Sequence, residues 1–398
     1  MKSPHSRSLA LLLAGLVLVA VVMRAPITGV GPVLPRITDE LGLTSTAAGL
    51  LTALPLLAFA GASAVVPSVS HRWGARPTLL GALVLMVVGA GLRWLPGSGG
   101  AAVAALFAGT ALVGVSIAVA NVLLPAVLRL EFPARVTAMT GGYVVLMGLT
   151  GAISSGTAVP LADAAPGGWR TALAVWALPA LVALAVWAVL LRRGQPQEQA
   201  VEAPRARMPW RSGLAWHVSA FMGLQSVGFY VALAWLPTAL RDIAGLDAAA
   251  AGWQLFLMQA AGIAASAALP LLLRSHHHDA AAAAVASVLT AVGFAGLVLV
   301  PAAATLWSVV LGLGMGATVV LALSFLSARA VNASQSAALS GMAQAVGYLF
   351  AAAGPVLVGA LHGATGGWAV PLGVLAVVTF AQAGVGWAAG RPRTLQEA

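Results

Sequence analysis

One arginine in an otherwise uncharged stretch is the residue of this chain best placed to do chemistry. Between Leu9 and Leu34 the only charged side chain is Arg24, within Met23-Arg24-Ala25-Pro26. At about 1.5 Å per helical residue it lies roughly 22 Å from Leu9 and 15 Å from Leu34. That is well inside a hydrocarbon layer about 30 Å thick. An arginine at that depth costs at least about 2.5–3.5 kcal/mol on insertion scales, so it should face a protein interior or an aqueous cavity. A guanidinium stays protonated, and its planar fork matches carboxylates and related small anions. The stretch predicts a binding site biased toward anions, or toward neutral molecules rich in acceptors. The plainer alternative is a structural arginine bonded to a neighbouring helix. Pro26, Gly29, Gly31 and Pro32 follow and should loosen the helix beyond the arginine.

Polar residues at comparable depth could supply the other walls. Thr28 comes one turn after Arg24 and should share its face. Asn121 precedes Pro125 by four residues, Tyr143 opens the membrane part of the fifth apolar segment, and Gln225 and Tyr230 lie in the seventh. Gln344 and Tyr348 are spaced i,i+4 and share one helical face, while Gln259 is a weaker candidate. Amides and phenols donate to an anion or accept from an N–H, and they cost less to bury than charges. Taken singly, each could equally be a contact between helices, worth about 0.6 kcal/mol on average. All ten Asp and Glu fall in loops or in a linker, so no carboxylate is placed to relay protons at mid-membrane. His217 and His362 sit near segment ends, and His276-His277-His278 lies in a loop without other ligands at established spacing. Neither a metal nor another cofactor is expected. There is no phosphate-binding loop for ATP and no nucleophile–base pair for an enzyme.

The elements that must hold these residues are apolar spans. Of 398 residues 60% are hydrophobic and 8% charged, more apolar surface than a soluble fold could hide. Cysteine is absent, which excludes disulfides and thiol chemistry. Twelve segments of spanning length can be marked, near 9–34, 47–69, 77–95, 101–128, 136–160, 169–191, 213–240, 249–273, 279–300, 304–326, 334–361 and 368–389. Lys2 and Arg7 before the first run imitate a signal peptide, but a retained span is expected. With the N-terminus inside, fifteen Lys/Arg fall on the cytoplasmic side and only Arg36, Arg93, Arg170 and Arg241 on the other. This predicts that both termini are cytoplasmic, and it explains the net charge of +10 without nucleic acid. The polar stretch 192–211 reads as a linker between halves 1–191 and 212–398.

The halves repeat at an offset of about 200 residues. Gly42-Leu43 is echoed by Gly245-Leu246, Ala138-Met139-Thr140-Gly141 by Ala338-Leu339-Ser340-Gly341, and Gly167-Gly168-Trp169 by Gly366-Gly367-Trp368. The same offset sets Ser226 against Arg24. A duplicated six-helix unit, with the site where the copies meet, is how many secondary transporters are built.

On these features the whole chain resembles the major facilitator superfamily. The superfamily's loop between spans two and three, Gly-x-x-x-Asp-Arg-x-Gly-x-Arg, corresponds here to Pro67, His71, Arg72, Gly74 and Arg76. Proline replaces the first glycine and histidine the acid, which in the family helps latch the cytoplasmic gate. Met23-Arg24-Ala25-Pro26-Ile27-Thr28, Val30-Gly31-Pro32-Val33-Leu34-Pro35, Asn121-Val122-Leu123-Leu124-Pro125, Gly223-Leu224-Gln225-Ser226 and Trp235-Leu236-Pro237 resemble the cyanate/nitroimidazole transporter family. The resemblance implies an all-α, twelve-helix transporter of the bacterial inner membrane, monomeric and working by alternating access on a small, cyanate-like anion. Efflux of neutral nitroaromatic or azole compounds is the rival within transport. A membrane sensor that binds without moving its ligand is the rival from another class.

Overall fold

The computed structural model describes residues 4–132, 136–192, 208–273 and 278–395. No strand occurs among them. Lipid offers no partner to backbone polar groups, so a spanning segment must satisfy its own hydrogen bonds as a helix. The first segment is three helices in succession, α1 (Pro4–Val22), α2 (Ala25–Thr28) and α3 (Val30–Leu41). Gly74 alone separates α4 (Ser45–Trp73) from α5 (Ala75–Trp94). Its φ of 92° and ψ of 153° form a conformation that only glycine adopts without strain. Next come α6 (Gly99–Glu131) and α7 (Val136–Ala164). The sixth segment, expected as one run, divides at Val175–Trp176 into α8 (Trp169–Ala174) and α9 (Ala177–Arg192). The second half holds α10 (Gly213–Ala244), α11 (Ala248–Leu272), α12 (Asp279–Leu299), α13 (Ala304–Ala328), α14 (Ala333–Thr365) and α15 (Ala369–Gly390). Among the described residues, twelve segments are long and apolar enough to cross a membrane, so this is a multi-pass membrane protein.

The chain forms two compact units, Met1–Gly42 with Leu54–Val201, and Leu43–Ala53 with Glu202–Ala398. The start of α4 thus groups with the second unit. In the first unit α5 packs on α6 and α9, and α1 and α2 pack on α7. In the second, α10 packs on α14, α12 on α15, and α11 on α13. Between helices in lipid, close van der Waals fit replaces the hydrophobic effect, so small residues mark the contacts. A methyl group at Gly312 would strike the Met258 carbonyl, and one at Gly316 would strike the Gly262 backbone.

Each half carries the same clasp where its repeated motifs meet. Gly42 (φ 63°) and Gly245 (φ 66°) end α3 and α10 in the left-handed conformation. The indole of Trp169 donates to Glu40 Oε2 at 2.6 Å, and that of Trp368 to Asp242 Oδ2 at 2.7 Å. In the first half Arg170 adds an ion pair with Glu40, bonds the carbonyls of Leu95 (3.2 Å) and Gly97 (2.8 Å), and lies 4.3 Å over the Trp169 ring. Burial raises the Glu40 pKa, but hydrogen bonds from Arg170 and Trp169 outweigh this and hold it below the usual carboxylate value. The second half has Ala369 after its tryptophan. There Trp368 stacks on His362 at 4.1 Å and packs against Trp235 at 5.6 Å.

Of the acidic residues expected in loops, Asp39 and Glu40 lie in an end turn of α3, Glu131 of α6, Asp163 of α7, Asp242 of α10 and Asp279 of α12, while Asp247 caps α11. Asp279 is buried and pairs with Arg329 at 3.2 Å. Arg329 also bonds the carbonyls of Ala389 (3.0 Å) and Gly390 (2.9 Å), which ties together the ends of α12, α13 and α15.

Candidate substrate-binding site

The first span is broken at Met23–Arg24, ahead of Pro26, and again at Gly29 beyond it, where α2 gives way to α3. Pro26 has no N–H with which to serve the carbonyl of Val22, so continuing α1 would orphan that carbonyl. Proline is tolerated in the opening turn of a new helix, and it occupies that place in α2. Arg24 caps α2 with φ −127° and ψ −41°. Its carbonyl accepts from Ile27 at 3.0 Å and Thr28 at 3.1 Å.

Neighbouring helices hold the four-residue α2 in place. Ser154 of α7 donates to the Ala25 carbonyl at 2.7 Å. Arg93 of α5 donates from Nη1 to the Pro26 carbonyl at 3.0 Å. Thr28 donates to the Gly151 carbonyl of α7 at 2.7 Å and is fully buried. Its hydroxyl therefore serves the α2–α7 contact. Gly29 permits the approach, since a Cβ there would lie 2.7 Å from Ser154 Oγ.

Arg24 itself is half-buried at the break. In the same unit Asn121 on α6 and Tyr143 on α7 are also half-buried. The second unit carries the rest. Gln225 and Ser226 are buried on α10 and bond each other at 2.7 Å, and both donate to the Met222 carbonyl, at 3.1 and 2.8 Å. Tyr230 is half-buried, its ring edge-on to Phe229 at 5.2 Å. On α14 Gln344 donates to Ser340 at 2.8 Å, and Tyr348 is half-buried one turn further on. Gln259 is buried and donates to the Leu255 carbonyl at 3.4 Å.

In the loop motif, Arg72 is exposed and Arg76 half-buried, on either side of Gly74. His71 lies on α4, but its side chain, like those of Pro67 and Pro125, falls outside the described ones, and His276–His277 and most of the linker fall outside the described residues.

Sequence reasoning missed Arg93, which it counted among the loop charges. The residue lies within α5 and is 2% exposed. The available signal was its place before Trp94 within the third apolar run, since arginines inside spans face the protein interior or a water-filled cavity.

Among the described residues, twelve helices are long and apolar enough to span a membrane, and the first of these spans is broken; the architecture is that of a multi-pass membrane protein. The chain belongs to the major facilitator superfamily, whose model matches residues 16–355. It is 40% identical over 386 residues to the 2-nitroimidazole transporter of Escherichia coli (strain K12), covering 97% of this chain and 96% of that protein. It is 30% identical over 356 residues to the cyanate transport protein CynX of the same organism, covering 89% and 90%. Among solved structures, the D-xylose-proton symporter superposes with a TM-score of 0.76 at 16% identity, covering 97% of this chain and all of that one.

Proposed function

We propose that this transporter moves a small anion or compact polar molecule, cyanate-like, by alternating access. The observation that carries the proposal is the half-buried charge of Arg24 at a break in the first span. Interrupted helices are where secondary transporters place substrate groups, and a guanidinium there selects for negative charge. Arg24 binds the substrate, while Asn121, Tyr143, Gln225, Tyr230, Gln344 and Tyr348 position it. Thr28 holds the segment that presents Arg24. The loop with His71, Arg72, Gly74 and Arg76 takes part in gating. The protein works as a monomer in the bacterial cytoplasmic membrane, both termini inside, as its loop charges indicate.

The test is counterflow in proteoliposomes. Labelled cyanate should exchange saturably, and Arg24→Gln should abolish that exchange. A second reading, export of a neutral azole, is favoured by the 40% identity to a 2-nitroimidazole transporter. Saturable exchange of 2-nitroimidazole without exchange of cyanate would select it. Binding of either compound with no exchange at all would leave a sensor.

A further inference from the structure

Arg93, in the last turn of α5, carries a buried charge with no carboxylate counter-charge among the described residues. It is 2% exposed. Its Nη1 bonds the Pro26 carbonyl, while Nε and Nη2 are buried without a hydrogen-bond partner among the described residues. No carboxylate is within ion-pair distance among those residues either. The site is shaped for it: a Cβ at Gly109 of α6 would lie 2.9 Å from Arg93 Cγ. An arginine cannot shed its proton to escape this cost, and an unpaired buried charge is strongly unfavourable.

Anchoring α2 does not require a charge. The adjacent Ala25 carbonyl is held by the neutral hydroxyl of Ser154, and the Gly151 carbonyl by that of Thr28. A neutral donor would serve Pro26 equally well. What distinguishes Pro26 is its place two residues beyond Arg24.

We infer that Arg93 is a specificity-determining residue, the second positive charge of the Arg24 site, which makes that site prefer anions over neutral molecules of similar size. The inference rests on reading Arg24 as an anion site. A charge about 10 Å from a bound anion, at an effective dielectric of about 20, changes affinity roughly 15-fold.

The experiment uses full-length purified protein in detergent, with thermal stabilisation by cyanate and by 2-nitroimidazole as the binding readouts. Three variants separate charge from hydrogen bonding. Arg93→Lys keeps both, Arg93→Gln keeps only a donor, and Arg93→Met keeps neither. Cyanate should bind Arg93→Lys about as well as wild type, and Arg93→Gln roughly 15-fold more weakly, while 2-nitroimidazole affinity stays constant. Should Arg93→Met not fold, the comparison of lysine with glutamine decides alone. Cyanate binding to Arg93→Gln that equals wild type, or a parallel loss of both probes, overturns the inference in favour of a structural anchor. If Arg24→Gln alone abolishes cyanate binding, the anion reading survives and only the role of Arg93 falls. If no anion stabilises the wild type, both fall together.

Discussion

Glu40→Gln tests whether the clasp of the first half is stronger than its counterpart in the second. The amide oxygen still accepts from the Trp169 indole, but the ion pair with Arg170 is lost. Arg170 keeps the carbonyls of Leu95 and Gly97, yet its side chain is only 10% exposed and loses the counter-charge of Glu40. A hydrogen bond to a charged group contributes about 1.5–3 kcal/mol. Glu40 is itself 45% exposed, so screening moves the expected loss to the low end, about 1.5 kcal/mol. Asp242→Asn is the internal control. It only turns an indole–carboxylate bond into an indole–amide bond, a cost of about 0.5–1 kcal/mol. At roughly 2–4 °C per kcal/mol for a unit of about 200 residues, Glu40→Gln should lower the melting temperature in detergent by about 3–6 °C, some twofold more than Asp242→Asn. The pH dependence has a definite sign. The Glu40 pKa is depressed in the folded state from an ordinary value near 4.5, so its contribution is complete above that value and is lost as pH falls through the folded value. Wild type should therefore lose stability below about pH 4.5 more steeply than Glu40→Gln. Equal shifts in the two variants, with the same acid slope, would refute the claim that Arg170 strengthens the clasp.

Arg24→Lys keeps the charge but loses the bidentate fork, so cyanate exchange should fall at least tenfold with normal membrane insertion. Near-normal exchange would show that a point charge suffices. Substrate counterflow should change little between pH 6 and 8, because the described carboxylates lie in end turns of helices or at their caps. Concentrative uptake of a permanently charged anion driven by a pH gradient alone would reveal a proton pathway. Gly316→Val places a branched side chain against the Gly262 backbone, so the yield of monodisperse protein should drop sharply. A wild-type elution profile and melting temperature would show that α11 and α13 can separate at little cost.

The sequence by itself determined the class. Apolar runs longer than about 20 residues can only be spanning helices, because lipid offers backbone groups no partner. The repeated Gly-Gly-Trp and Gly-Leu pairs were legible because an αL cap tolerates almost nothing but glycine. Arg24 stood out for a similar reason, as the one charge in its run. Only the tertiary structure decided what each polar group faces. Thr28 lies one turn from Arg24, which suggested a shared role toward substrate, but its buried hydroxyl is spent on the Gly151 carbonyl of α7, a partner that spacing along one helix does not reveal. Trp169 and Trp368 occupy span ends, as interfacial anchors do, but their indoles bond acids about 126–129 residues away in the chain. Arg93 is the sharpest case. Its type and position fit a surface charge at a span end, and its inward direction depends on the space left by Gly109 and on the carbonyl of Pro26, a packing decision that no local pattern encodes.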